Sequence, residues 1–205
     1  MSDDGTNPEA SREAAATVLS ELAEAGYPVH ALADLRHSRT QYRSAVPVLM
    51  KWLPRVKDRG VKEDIVRALS VPWARQSETA RALLDEFREV DPEADPDGTG
   101  LRWVLGNALE VVWDDSFFDE LVQIARDRRF GRARQMVVLG IGKSRDPRAA
   151  SVLIGLLDDE DVSGHVVKAL GKLRAPESRP ALESKLDDPR AWVRREAQRA
   201  LSKLT

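Results

Sequence analysis

Several kinds of residue that carry chemistry are scarce or missing in this sequence. It contains no cysteine, which excludes disulfides, thiolate metal sites and thiol nucleophiles. Aromatic residues make up only 5% of it, and there are three histidines. Apolar runs such as residues 45–50 are far shorter than the roughly 20 residues of a membrane-spanning helix. The formal charge of -2 supplies no overall basic field for nucleic acid or an anionic membrane.

The remaining composition is that of a globular chain. The 205 residues are 42% hydrophobic and 32% charged, which is enough to bury a core in one domain or at most two. The opening residues, MSDDGTNPEASREAAA, are acidic and lack the basic flank and apolar block of a signal peptide. Together with the lack of cysteine, they predict a cytoplasmic protein without a membrane segment.

A short triplet recurs along the chain, with its central leucine at positions 69, 109, 139, 170 and 201. The intervals between these leucines are 40, 30, 31 and 31 residues. The long interval contains the proline-, glycine- and acid-rich stretch 91–100, which predicts an inserted, solvated acidic loop. Self-similarity at a nearly fixed period is the signature of a repeat architecture.

Two helices are predicted in each repeat. Around each triplet the apolar residues recur at helical spacing, as in Val162, Val166 and Leu170, which predicts a helix with one buried face. We call these the B helices. A second amphipathic segment, an A helix, precedes each of them, at residues 45–56, 78–87, 116–126, 147–157 and 179–186. Proline and glycine between the segments supply the helix ends.

The N-terminal part predicts a less regular hairpin. Asn7 and Pro8 resemble a cap and a first-turn proline, which open a helix over about 8–25. A shorter partner is predicted over 29–37. We therefore expect residues 1–7 to be disordered and residues 8–205 to form a single repeat domain. Its parts are an irregular capping hairpin over 8–40 and repeats over 41–205, about six hairpins in all.

The segments AVPVLMKWL (45–53), RDPRAASVLIGLLDDEDVSGHVVKALGKL (145–173) and DDPRAWVRREAQRALSKL (187–204) resemble the short HEAT-like repeats of phycobilisome lyases and of HEAT-repeat proteins from high-GC bacteria. The resemblance covers about residues 41–205. It implies an all-α fold, a right-handed α-solenoid of the armadillo type. Such repeats serve scaffolds, lyases and DNA glycosylases alike, and no catalytic residue of those enzymes transfers to this sequence.

One column of the aligned B helices is basic. Seven residues before four of the five leucines lie Lys62, Arg102, Arg132 and Arg194. One interpretation is an internal ladder, in which these cations bond to acids a few residues upstream. Such a ladder resembles the Asp–Arg bonds between adjacent units of HEAT repeats. The other is an anion-binding stripe along the solenoid. The sequence favours the ladder and leaves both open.

The face opposite the apolar stripe is unusually small and apolar in the central repeats. Glycine there costs helix stability, so it either permits close packing of helices or opens the floor of a groove for a partner. For the groove we expect a protein or peptide segment on the concave face, since exposed Trp and Met favour apolar recognition. The expected contacts are Arg67, Trp103, Asn107, Glu110, Met136, Gly140, Lys168 and Arg195.

No catalytic or metal-binding set is recognisable. None of His30, His37 and His165 lies in a nucleophile or metal motif. The stretch 93–104 fails as a calcium loop because its last position is Val104, where a bidentate Glu is required. We therefore predict a non-enzymatic protein-binding scaffold without cofactor or metal. A HEAT-like enzyme of lyase or DNA-glycosylase type, or a nucleic-acid adaptor, is the alternative.

Overall fold

The computed structural model describes residues 8–91 and 93–204. In chain order its helices are α1 (Pro8–Glu24), α2 (Leu32–His37), α3 (Val46–Trp52), α4 (Arg59–Leu69), α5 (Ser77–Glu89), α6 (Leu101–Val111), α7 (Phe118–Arg126), α8 (Arg134–Ile141), α9 (Ala149–Ile154), α10 (Ser163–Leu173), α11 (Arg179–Glu183) and α12 (Ala191–Leu201). Within those described residues there is no strand. The predicted disorder of residues 1–7 concerns residues outside the described ranges.

Odd-numbered helices are the A helices and even-numbered helices the B helices. From α3 onward each A helix packs on the B helix that follows it, and the B helices α2, α4, α6, α8, α10 and α12 pack side by side in chain order. In the first unit α1 instead packs on α3 and α4, and the irregular capping hairpin over 8–40 stays a prediction. The result is a stacked array of helical hairpins, the predicted α-solenoid.

Several A helices are shorter than their amphipathic segments, and local chemistry ends them. Helix α3 ends at Trp52, two residues before Pro54, which has no N–H to continue the ladder. Helix α11 ends at Glu183, and the Ser184 hydroxyl then donates to the carbonyl of Ala181 at 2.8 Å. Hydroxyls that bond the nearby backbone compete with the helix in this way.

The core lies between the two helix layers. The triplet leucines Leu69, Leu109, Leu139 and Leu170 are all buried, whereas Leu201 is half-buried. Leu201 ends α12, the last helix of the described residues, so none of them forms a further hairpin that would cover it. The repeat pattern therefore marks the buried seam, as the spacing predicts.

The predicted solvated loop at 91–100 is wrong in one respect, because part of it is buried. The carboxylate of Asp95 is 5% exposed and accepts from the N–H groups of Gly100 and Arg102, both at 2.9 Å. The N–H of Arg132 donates to the carbonyl of Asp97 at 3.3 Å. A buried carboxylate requires donors such as those of Gly100 and Arg102. The bond from Arg132 to Asp97 joins this loop to the next hairpin.

Candidate functional site

The helical phase of α4, α10 and α12 agrees with the sequence prediction, whereas in α6 both compared positions are half-buried. Val61, Val162 and Val193 are buried and Leu101 is half-buried. On the opposite side, Arg67 and Asn107 are half-buried, while Lys168 and Arg199 are exposed. We call this opposite side the B-helix face; it comprises Arg67, Trp103, Asn107, Glu110, Met136, Lys168, Trp192 and Arg195.

The middle of the B-helix face is apolar and partly open. The side chains of Trp103 and Met136 are half-buried, and Met136 packs against the core. The side-chain amide of Asn107 donates to the carbonyl of Trp103 at 2.8 Å. This bond fixes the amide one turn after the tryptophan, on the same side of α6. A part of the Trp103 side chain stays accessible to a partner.

Gly140 does not belong to this face. It is buried, and a methyl group built on its Cα would overlap the ring of Trp113. At Gly106 the same methyl group would lie 2.8 Å from the carbonyl oxygen of Ala133 on the next hairpin. These glycines serve the close packing of neighbouring hairpins, the simpler of the two interpretations of the small residues. The prediction of Gly140 as a partner contact is therefore wrong.

Glu110 links α6 to α10 and to the turn that follows α8. Its carboxylate accepts from the amines of Lys143 at 2.8 Å and Lys172 at 3.1 Å, and only 14% of its side chain is exposed. Burial alone would raise the pKa of Glu110, but the two ammonium groups outweigh burial and lower it. At the other end of the face, Arg67 donates to Glu63 at 2.8 Å. Both predicted contacts thus already have ionic partners.

The C-terminal end of the B-helix face is different. Lys168 and Arg195 are exposed, and neither forms an ion pair with any residue in the described ranges. Trp192, 38% exposed, is the one exposed large apolar side chain among the described residues. Its ring covers Gly164 and makes an edge contact with the His165 imidazole at a centroid distance of 5.8 Å.

A cavity of about 820 Å³ opens beside Trp192. Its lining includes Leu157, His165 and Pro189. Burial, with the nearby charges of Lys168 and Arg190, lowers the pKa of His165 to about 4. The imidazole is therefore neutral at pH 7 and adds no charge to the cavity.

The cavity is rimmed by charges of both signs. They are Arg132, Asp158, Glu160, Asp161, Lys185, Asp188 and Arg190. Several are already paired: Arg190 with Asp188 at 2.9 Å and Lys185 with Asp158 at 3.4 Å. Arg132 is exposed and forms no ion pair with the described residues.

The predicted ladder, in which the basic column bonds to the acids just upstream, is wrong: Lys62, Arg102 and Arg194 have other partners. Lys62 pairs with Glu86 of α5, while Asp58 caps α4 by accepting from the Val61 N–H at 2.8 Å. Arg194 donates to backbone carbonyls, including that of Asp188 at 2.7 Å. The upstream acids thus act mainly as local caps and turn partners.

Arg102 is 1% exposed and has no carboxylate on its guanidinium among the described residues. It donates to the carbonyls of Phe87 and Val90. Its guanidinium carbon lies 5.0 Å from the centroid of the Phe130 ring. Carbonyl dipoles and an aromatic face thus hold this buried cation.

In the fourth hairpin Arg134 takes the place predicted for Arg132. Residues Arg128–Ala133 form a 3-10 turn with a non-helical Gly131, so α8 begins two residues beyond the aligned column. Arg134 is fully buried and donates to Asp159 at 2.7 Å and to Asp161 at 3.1 Å in the next hairpin. Its guanidinium holds the pKa of Asp159 below its usual range.

Trp192 was not identified from the sequence as a residue of the B-helix face, because the aligned columns do not reach it. It lies nine residues before Leu201, outside the aligned columns, which begin eight residues before each leucine. Nine and two residues before the leucine share a helix side at 100° per residue. A longer alignment window would have placed Trp192 on the side of Lys168 and Asn107.

Other kinds of site are missing from the described part of the chain. Among residues 8–91 and 93–204, no group of three or more His, Asp or Glu could hold a metal ion. In the same ranges no helix is both long and apolar enough to cross a membrane.

Comparisons with known proteins agree with the geometry. Residues 118–202 match the family model of HEAT repeats. A designed armadillo repeat protein superposes with a TM-score of 0.52 at 18% sequence identity, over 96% of this chain and 91% of that one. No curated protein sequence matches significantly. The fold is thus an α-solenoid of the armadillo type, as predicted, and residues 118–202 are similar to HEAT repeats. The resemblance to phycobilisome lyases stays a prediction.

Proposed function

We propose that this protein is a non-enzymatic binding scaffold that holds a segment of a partner protein along its B-helix face. The observation that carries the proposal is the side-by-side stacking of the B helices. It turns residues from separate repeats into one continuous surface, and extended surfaces of this kind are what repeat arrays use for binding. The lack of cysteine favours a reducing cytoplasm as the setting.

Trp103 and Met136 support an apolar contact in the middle of this surface. Both are half-buried, so they are held by their neighbours yet still present apolar surface. Hot spots of binding are enriched in tryptophan, and polar residues commonly surround them. Asn107, Lys168 and Arg195 provide such a polar surround.

The test is a selection of random peptides of about 12 residues against the full chain, followed by affinity measurements on variants. We expect Trp103→Ala to weaken the selected peptides by about 2 kcal/mol, as for an anchor residue. Gln123→Ala, an exposed position on α7, is the matched control and should bind like the wild type. Peptides that bind both variants with wild-type affinity would place the binding surface elsewhere.

A further inference from the structure

We propose that the C-terminal end of the B-helix face recognises an acidic peptide segment that also carries an apolar side chain. The inference rests on the proposed function and specifies the chemistry of the partner. The recognising surface consists of Lys168, Trp192 and Arg195 of this face, together with the cavity beside Trp192, which Arg132 also lines.

Charge complementarity is the first argument. Elsewhere on the face the charged groups have partners within the chain: Arg67 pairs with Glu63, and Glu110 pairs with Lys143. Lys168 and Arg195 have none among the described residues and are exposed. Opposite charges across an interface raise the association rate and disfavour partners of the wrong sign. Carboxylates of a partner are the matching groups.

The aromatic platform is the second argument. The Trp192 ring packs on Gly164 and makes an edge contact with His165. It is therefore exposed yet held in a defined orientation. The adjoining cavity of about 820 Å³ has room for a side chain, and Leu157 and Pro189 contribute to its lining. A rigid aromatic surface of this type suits an apolar anchor inside a charged segment.

The carboxylates among the mixed charges of the cavity rim favour a peptide over a nucleic acid. Asp158 and Glu160 are exposed at the same cavity. A strand with a phosphate at every nucleotide would bring anions close to both carboxylates. A peptide places its carboxylates at chosen positions and avoids this repulsion.

The experiment measures fluorescence anisotropy of labelled probes with the full chain. The probes are pools of peptides of about 12 residues that carry two Glu residues among Leu, Phe, Ser or Gly, matched pools with Gln in place of Glu, and an oligothymidylate of about 20 nucleotides. We expect the Glu pool to bind about tenfold more tightly than the Gln pool, because only the Glu pool offers charges to Lys168 and Arg195. Raising the salt concentration should narrow this difference.

The double variant Lys168→Glu and Arg195→Glu should weaken the Glu pool by about tenfold or more. Its control, Arg12→Glu with Lys57→Glu, makes the same change in net charge at exposed positions on α1 and before α4, and should bind like the wild type. Trp192→Ala should also weaken the Glu pool by about tenfold, since it removes the aromatic platform.

Other outcomes separate the two proposals. If both pools bind equally and Trp103→Ala abolishes binding, the scaffold stands and the acidic preference is wrong. If no pool binds, or no variant of the B-helix face changes binding, both are wrong. Oligothymidylate binding tighter than that of the Glu pool, and lost in the double variant, would replace the acidic peptide by a nucleic acid.

Discussion

Arg134 and Lys168 are cations of neighbouring B helices with opposite surroundings. Arg134 is fully buried between hairpins and has two carboxylates within 3.1 Å. Lys168 is exposed and has no ionic partner in the described part of the chain. A cation removed from water needs partners in its own chain because its desolvation is costly. A solvated cation does not, so it remains available to a partner molecule.

The largest loss of stability is expected from Arg134→Met, which removes the buried cation of this pair of residues. It removes the buried guanidinium 2.7 Å from Asp159 and leaves only that of the exposed Arg128 at 3.4 Å. Removal of one partner from a buried pair costs about 3–5 kcal/mol. Urea denaturation gives the free energy of unfolding. Arg132→Met, two residues earlier and exposed, should stay within about 0.5 kcal/mol of the wild type. Equal losses in the two variants would contradict the assignment of Arg134 as the ladder residue.

The next effect concerns the close contact between hairpins. Gly140→Ala places a methyl group against the Trp113 ring, and overpacking of this kind costs roughly 1–3 kcal/mol. The control is Gly155→Ala, whose new methyl group meets nothing closer than 3.5 Å in a helical backbone conformation. Alanine there should be neutral or stabilising by up to about 1 kcal/mol. Destabilisation by Gly155→Ala that matches Gly140→Ala would show that the packing argument is wrong.

A smaller effect, on the pH dependence of stability, is expected from His165, which is half-buried. Burial lowers its pKa from 6.5 to about 4, so the unfolded chain binds a proton at this residue more readily than the folded chain. The stability held by the neutral imidazole is present above pH 6.5 and is lost as the pH falls toward 4. His165→Gln should reduce this loss in urea titrations over that range. His37→Gln, at an exposed position, is the control and should leave the pH dependence unchanged.

Periodicity made the helix layers and their buried sides predictable. The leucine triplets and the phase of Val162 against Lys168 agree with the structure because they depend on helix geometry alone. The ionic pairs were not predictable, since the 3-10 turn at Arg128–Ala133 moves the buried cation from position 132 to 134. Positions counted at fixed distances from each leucine cannot represent a local change of backbone. Trp192 was omitted because it lies one position beyond those that were aligned.

The central claim is that the C-terminal end of the B-helix face binds a partner while the seam between hairpins only supports the fold. Its most direct test is a two-dimensional ¹H–¹⁵N spectrum of the full chain titrated with the Glu pool, because the five tryptophans give separate indole signals. The account predicts that the Trp192 indole signal shifts and that those of Trp52 and Trp113 stay in place. Movement of the Trp52 signal with an unchanged Trp192 signal would contradict it.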